Sequence, residues 1–76
     1  MQLHNQKTGV TYNTRTTKEN GVFISIVERV ESGANNVALR AYLSSREKHS
    51  TRHKARRYAE SMARYQFRSH CAVYGM

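Results

Sequence analysis

Residues 9–31, GVTYNTRTTKENGVFISIVERVE, contain two runs of β-forming residues on either side of the dipeptide Asn20-Gly21. The first run, 9–17, alternates in β-strand fashion and is polar on both faces, which is typical of an edge strand. Asn and Gly both tolerate the positive φ angles that a two-residue hairpin turn requires. The stretch therefore predicts a β-hairpin with strands at about 9–17 and 22–31.

A third strand is predicted after the hairpin. Residues 31–36, ESGANN, have the composition of a turn, and VALRAYL at 37–43 again alternates in polarity. In this segment Val37, Leu39, Ala41 and Leu43 fall on one face. A strand at about 36–43 would complete a three-stranded antiparallel meander.

The hydrophobic period then changes to that of a helix, predicted at about 46–68. Ser44 and Glu47 have the spacing of a capping box, and Ser50 or Thr51 offers a second start. The expected fold is a single small α+β domain, 1–76, ordered β-β-β-α with an apolar tail at 69–76. Its expected core places apolar residues of the sheet against one side of the helix: Ile24, Ile26, Leu39 and Leu43 against Tyr58, Ala59 and Met62. Tyr65 falls on the same helical stripe as Tyr58 and Met62, and Ala55 flanks it.

Phe67 does not fit this helical pattern, because a regular helix would place it on the basic side. Two alternatives remain at this point. Either the helix ends near Gln66, or Phe67 is an exposed apolar residue within a basic surface.

The charge is concentrated in the predicted helix. The chain has 13 Lys and Arg, 5 Glu and a formal net charge of +8, and eight of the basic residues lie within 46–68. Such a charge attracts nucleic acid, an acidic protein face or an anionic membrane, although it can also serve solubility alone. Arginine outnumbers lysine six to two in this segment, and the guanidinium group suits bidentate contacts with phosphate.

The candidate binding residues follow from helical spacing. Arg57, Arg64 and Arg68 share the side of the helix opposite the apolar stripe, with His53 nearby. Further candidates near the helix start and in the hairpin are Arg52, Lys54, Arg56, Lys18 and Arg15. Contacts of this kind with phosphates give affinity with strong salt dependence and little sequence discrimination.

Catalytic and metal sites are not expected. The five Glu side chains are not paired at a spacing that suggests acid and base roles, and no nucleophile or phosphate-loop motif is present. His49 and His53 have the i, i+4 spacing of a zinc pair, but no further ligands follow at a familiar spacing. We therefore expect a non-enzymatic protein without metal or other cofactor.

The compartment is inferred from what the sequence lacks. The single Cys71 excludes an internal disulfide, and no apolar run is long enough to cross a bilayer. We expect a cytoplasmic protein without a membrane partner, or one in the host cytoplasm if the source is viral.

The predicted order of elements resembles the arm-type DNA-binding domain of phage and transposon integrases. The resemblance covers roughly residues 11–67 through ENGVFISIVERV, NNVALRAYLSS and HKARRYAESMARY. It implies a three-stranded sheet that contacts DNA and a helix that supports the sheet. In this chain the charge lies on the helix instead, so no site residues are carried over from that family.

The sequence favours binding of nucleic acid, DNA or RNA, through the basic helix. The alternative is an inhibitor of the phage host-takeover or anti-CRISPR type, because small basic chains without catalytic residues resemble such proteins in character. Its partner would be an acidic host protein or a ribonucleoprotein. The apolar tail also allows a homodimer, in which a second copy covers it.

Overall fold

The computed structural model describes residues 1–33 and 37–76. Within these ranges the chain forms four strands and one helix: β1 (Gln2–Asn5), β2 (Val10–Glu19), β3 (Val22–Ser32), β4 (Ala38–His49) and α1 (Arg52–Tyr74). The strands form one antiparallel sheet in the order β1-β2-β3-β4. The prediction of an α+β fold with an antiparallel sheet and one C-terminal helix is confirmed. The prediction of three strands is wrong, because β1 adds a fourth and makes β2 an interior strand, not the edge strand that its sequence predicted.

The β2–β3 hairpin has the geometry that its turn sequence predicts. Asn20 and Gly21 have φ angles of 50° and 79°, as expected for a turn in which both central residues are left-handed. From the turn the two strands pair without interruption, from Glu19 opposite Val22 to Val10 opposite Glu31.

Strand β4 extends beyond the predicted end at residue 43 and replaces the first part of the predicted helix. Residues 45–49 pair with β3, from Ser45 opposite Val27 to His49 opposite Phe23, after a register shift. The capping box predicted at Ser44 and Glu47 is therefore wrong, because cross-strand pairing with β3 holds this segment extended. The turn predicted at 31–36 and the strand start predicted at 36 fall partly on residues 34–36, outside the described residues.

Helix α1 begins at the second predicted start. Thr51 is its N-cap, with extended backbone angles, and its Oγ1 accepts a hydrogen bond from the backbone N–H of Lys54 at 3.1 Å. This bond satisfies one of the amides that the first turn leaves unpaired.

Three alanines seat α1 on the sheet. Ala55, Ala59 and Ala63 are buried, and Ala59 and Ala63 form the core with Val10, Tyr12 and Val27. The four-residue spacing of the alanines puts them on one side of the helix, and their small side chains allow the backbone to approach the strands closely. We call the side of the sheet that they contact the helix face.

The predicted core residues divide between the two faces of the sheet. Since side chains alternate along a strand, Ile24 and Ile26 point away from the side on which Val27 packs against α1. They are nevertheless buried, on the face that we call the helix-free face, beside the long side chains of their β4 partners Lys48 and Arg46.

The other predicted core positions have mixed outcomes. Leu39 and Leu43 are 72% and 59% exposed, so their assignment to the core is wrong. Ala59 is buried and Met62 packs partly buried against the core, whereas Tyr58 is only half-buried. Tyr65, predicted on the same stripe, is exposed. The buried side of the helix is centred on the three alanines, and Tyr65 lies outside it.

The predicted apolar tail is mainly helix. Helix α1 continues to Tyr74 and ends at Gly75, whose φ of 79° and N–H bond to the Cys71 carbonyl (2.7 Å) complete its C-cap. Both alternatives predicted for Phe67 are wrong. It lies at the edge of the buried side, edge-on to Tyr12 with 6.4 Å between ring centroids.

Asn5 joins the N-terminal strand to the C-terminal end of the helix. Its side chain is fully buried, and its Nδ2 donates to the Gly75 carbonyl at 2.6 Å and to Cys71 Sγ at 3.4 Å. Its Oδ1 accepts from the backbone amides of Lys7 and Thr8, at 2.9 and 3.0 Å. One polar side chain thus fixes the turn after β1 and the end of α1 together. We call this arrangement the Asn5 latch.

His70 lies beside the latch, buried between the helix and the sheet. Its Nε2 is 2.7 Å from Thr8 Oγ1, and its Nδ1 has no hydrogen-bond partner within the described part of the chain. We therefore assign the proton to Nε2, which donates to Thr8. Desolvation by burial, and then the positive charge of Arg29, lower the pKa of His70 below its ordinary value, while Glu31 acts in the opposite direction.

We predict that Asn5→Ala lowers the free energy of unfolding by about 2 kcal/mol, because two backbone amides and a carbonyl lose their partner, the buried Asn5 side chain. In a domain of this size the loss corresponds to a fall in Tm of about 10 °C. Thermal unfolding followed by circular dichroism measures it. The control is Gln6→Ala, the same kind of truncation at the exposed neighbouring residue. Equal Tm values for the two variants would contradict the latch.

We also predict that acidification destabilises the protein through His70. Because its pKa is lowered in the folded chain, the unfolded chain takes up the proton first as the pH falls through the ordinary histidine range. From about pH 7.5 to about pH 5, Tm should fall less in His70→Gln than in the unmodified protein. His53→Gln, at an exposed histidine of the same helix, should behave like the unmodified protein. An unchanged pH dependence in His70→Gln would refute this prediction.

Candidate nucleic-acid interface

The outer side of α1 carries a row of exposed cations. Because Ala55, Ala59 and Ala63 face the sheet, the helical period turns the opposite side toward solvent. Four basic residues there are all exposed, and we call them the basic row: Lys54, Arg57, Arg64 and Arg68. From first to last they span about 21 Å along the helix axis. The side predicted for Arg57, Arg64 and Arg68 is the side on which they lie.

The basic row is not neutralised by carboxylates of the described residues. Within these residues Glu60 pairs with Arg56 at 3.5 Å, while Glu28, Glu31 and Glu19 pair with arginines of the sheet. The helix therefore carries six Lys and Arg against one Glu, and none of the four basic-row residues forms an ion pair in the described chain. Like charges held this close favour an external anion.

Phe23 brings a hairpin residue next to the start of the helix. The Lys18 ammonium lies 5.4 Å from the centroid of its ring, and the Arg52 guanidinium 5.1 Å from it. Both contacts have the geometry of cation–π interactions. Two of the predicted binding residues from distant parts of the chain thus meet at one end of the molecule.

Arg15 is not brought together with the other predicted site residues. It lies opposite Ile26 in the β2–β3 register, on the helix-free face, and pairs with Glu28 at 3.0 Å. Arg46 and Lys48, which the sequence placed on the basic helix, lie on β4 and also belong to the helix-free face. Arg56 remains exposed on α1, at the side of the basic row, with Glu60 as its partner.

A shallow groove runs beside the basic row, between the first turns of α1 and the end of β4. Its volume is about 520 Å³, and it is lined by His49, His53, Lys54, Arg57, Tyr58 and Ser61. The ring of Tyr58 packs against that of His49 with 5.0 Å between centroids. His49 is held in turn by Ser25, whose Oγ lies 3.1 Å from His49 Nε2. The groove therefore combines cations, a hydroxyl and aromatic rings.

Two residues of this region were not identified from the sequence as part of a binding site. His49 was placed in the helix and reaches the groove from β4, which only the strand pairing reveals. Tyr65 was assigned to the core but is 65% exposed, next to Arg64 and three residues before Arg68. The four-residue spacing of Ala55, Ala59 and Ala63 was a signal that could have shifted the predicted helical stripe away from Tyr65.

In residues 1–33 and 37–76, no group of three or more His, Cys, Asp or Glu side chains is placed to hold a metal ion. Among the same residues, no helix is long and apolar enough to cross a membrane.

Comparison with known proteins adds no relative to this description. No protein-family model, no curated protein and no solved structure matches the chain. The resemblance to the arm-type domain of integrases accordingly stays a prediction.

Proposed function

We propose that this protein is a non-catalytic nucleic-acid-binding protein that contacts phosphates through the basic row of α1. The observation that carries the proposal is the exposed, unneutralised row itself: Lys54, Arg57, Arg64 and Arg68 on one side of a helix whose other side is fixed to the sheet. Three of the four are arginines, which suits bidentate contacts with phosphate oxygens.

Because α1 is rigidly supported, binding through the basic row loses little conformational entropy. The helix is capped at Thr51, seated through three alanines and held at its end by the Asn5 latch. Cations on such a helix keep their relative positions before the ligand arrives, so association loses less conformational entropy. Release of counterions from the polyanion then provides a binding energy that depends strongly on salt.

Lys18 and Arg52 extend the proposed surface around the start of the helix. Both lie over the Phe23 ring, close to the end of the basic row that begins at Lys54. Arg56 belongs to the same surface, although Glu60 partly neutralises it. Arg15, on the opposite side of the sheet, is left out of the proposed interface.

A second candidate function is binding of an acidic host protein or a ribonucleoprotein, as an inhibitor would do. The observation that favours it is the outer edge of β4: within the described residues β4 pairs only with β3, and it exposes Leu39 and Leu43. An unpaired strand edge with apolar side chains suits addition of a partner's strand.

We predict that Arg57→Gln/Arg64→Gln reduces the salt dependence of nucleic-acid binding. Loss of two phosphate contacts should lower the slope of log K against log salt by about 1.4 for a single strand or about 1.8 for a duplex. Fluorescence anisotropy with labelled single-stranded DNA, single-stranded RNA and duplex DNA, from about 50 to about 300 mM salt, measures the slope.

The matched control is Arg40→Gln/Lys48→Gln, which removes the same charge from exposed positions of β4. Its slope should stay within error of that of the unmodified protein. Equal changes in both double variants would show that net charge alone drives binding, against the proposed interface.

For the second candidate we predict that Leu43→Lys abolishes binding of the host partner. The substitution replaces one of the two exposed leucines of β4 by a charge, which opposes strand addition. The measurement is affinity capture from nuclease-treated lysate, with Arg57→Gln/Arg64→Gln as the comparison. Capture of one partner that is lost in Leu43→Lys and kept in the arginine variant would favour this function over nucleic-acid binding. Loss in the arginine variant alone would count against it.

A further inference from the structure

One side of α1 presents aromatic rings between cations. Lys54, Tyr58, Ser61, Tyr65 and Arg68 follow the spacing i, i+4, i+7, i+11, i+14, which places them on one longitudinal line of a helix. We call these residues the tyrosine strip. It starts in the groove beside β4, where Lys54, Tyr58 and Ser61 are lining residues, and continues along the helix to Arg68.

The two tyrosines of the strip have different environments. Tyr58 is half-buried, and its ring already packs against His49. Tyr65 is 65% exposed, and its backbone carbonyl, rather than its ring, accepts the hydrogen bond from Ser69 Oγ at 3.0 Å. The Tyr65 ring therefore offers a planar apolar surface to a ligand.

The cations around Tyr65 belong to the basic row. Arg64 precedes it, Arg68 follows one turn later, and Arg57 lies two turns before Arg64 on the outer side. Proteins bind unpaired nucleotides by combining a stacking ring with a track of cations. The base stacks on the ring, and the phosphates of the backbone contact the cations. A duplex keeps its base faces inside the stack, so a lone ring on a convex helix gains little from it.

We infer that the tyrosine strip binds single-stranded nucleic acid, with a base stacked on Tyr65 and the adjoining phosphates on Arg64 and Arg68. The inference rests on the proposed function and names its ligand class, unpaired nucleotides of DNA or RNA. Ser61, one turn before Tyr65 on the same line, places a hydroxyl within the track. Such hydroxyls are common donors to phosphate and sugar oxygens.

The test compares Tyr65→Ala, Tyr65→Phe and Tyr42→Ala by fluorescence anisotropy. The probes are labelled single-stranded DNA and RNA of about 12 nucleotides, and a duplex DNA of the same length. Tyr65→Ala should weaken binding of one or both single strands about tenfold or more and binding of the duplex less than about twofold. Tyr65→Phe should bind like the unmodified protein, since it keeps the ring. Tyr42, an exposed tyrosine of β4, controls for loss of any surface tyrosine.

The outcomes separate this inference from the proposed function. The tyrosine strip is not a site for unpaired bases if Tyr65→Ala weakens binding of single strands and duplex equally, or weakens neither. In that case a smaller salt dependence of binding in Arg57→Gln/Arg64→Gln can still support phosphate binding by the basic row. Absence of binding to all three probes by the unmodified protein would overturn both. If binding of only one of the two single strands is weakened, that probe identifies DNA or RNA as the ligand.

A second measurement on the unmodified protein avoids any effect of the substitution on folding. Single strands carrying 5-bromouracil are irradiated in complex with the protein, and the crosslinked peptide is identified by mass spectrometry. The expected crosslink is at Tyr65. Crosslinks confined to Tyr42 or to the helix-free face would overturn the inference.

Discussion

The seating of Ala55, Ala59 and Ala63 on the sheet decides which side of α1 meets solvent. All three are fully or almost fully buried, against strands that contribute Val10, Tyr12 and Val27. Larger side chains at these positions would hold the helix away from the sheet or rotate it. With the alanines packed on the sheet, the helical period places four basic residues on the outer side: Lys54, Arg57, Arg64 and Arg68. The arrangement of the proposed interface is thus a consequence of core packing.

The N-terminal strand supports the far end of that arrangement. A chain of 76 residues buries a small core, and the apolar contacts here lie mainly along the first part of the helix, up to Phe67. Beyond it the helix is held by the packing of the His70 ring against Tyr12, by the Asn5 latch and by the hydrogen bond between His70 and Thr8. The Asn5 and His70 side chains are buried, so losing these hydrogen bonds is costly. They fix the end of the helix that follows Arg68.

Local signals predicted some elements well. The Asn20-Gly21 turn and the alternation around it were sufficient for the hairpin, because a two-residue turn fixes the register of both strands. Helical spacing was sufficient to put Arg57, Arg64 and Arg68 on one side. Both predictions depend only on residues close together in the chain.

Other features depend on contacts between distant residues and could not be read locally. Residues 46–49 are reasonable helix formers, yet their pairing with β3 makes them a strand. Strand β1 has four mostly polar residues, and its place is fixed by pairing with β2 and by the Asn5 latch to Gly75. The opposite faces of Lys18 and Arg15 follow from alternation along β2, but which of these faces α1 covers depends on packing between distant residues. Tyr65 was assigned to the core because an aromatic residue at helical spacing usually packs there.

The most informative single experiment is a titration of the ¹⁵N-labelled protein with a single-stranded oligonucleotide, followed in ¹H–¹⁵N correlation spectra. If the outer side of α1 binds the oligonucleotide, the shift changes should concentrate from Lys54 to Arg68 and at Lys18 beside the helix start. Resonances of the helix-free face, such as those of Arg15 and Val30, should stay in place. Changes confined to the β4 edge and the helix-free face, with α1 unaffected, would contradict the account and would locate the binding surface on the opposite side of the sheet.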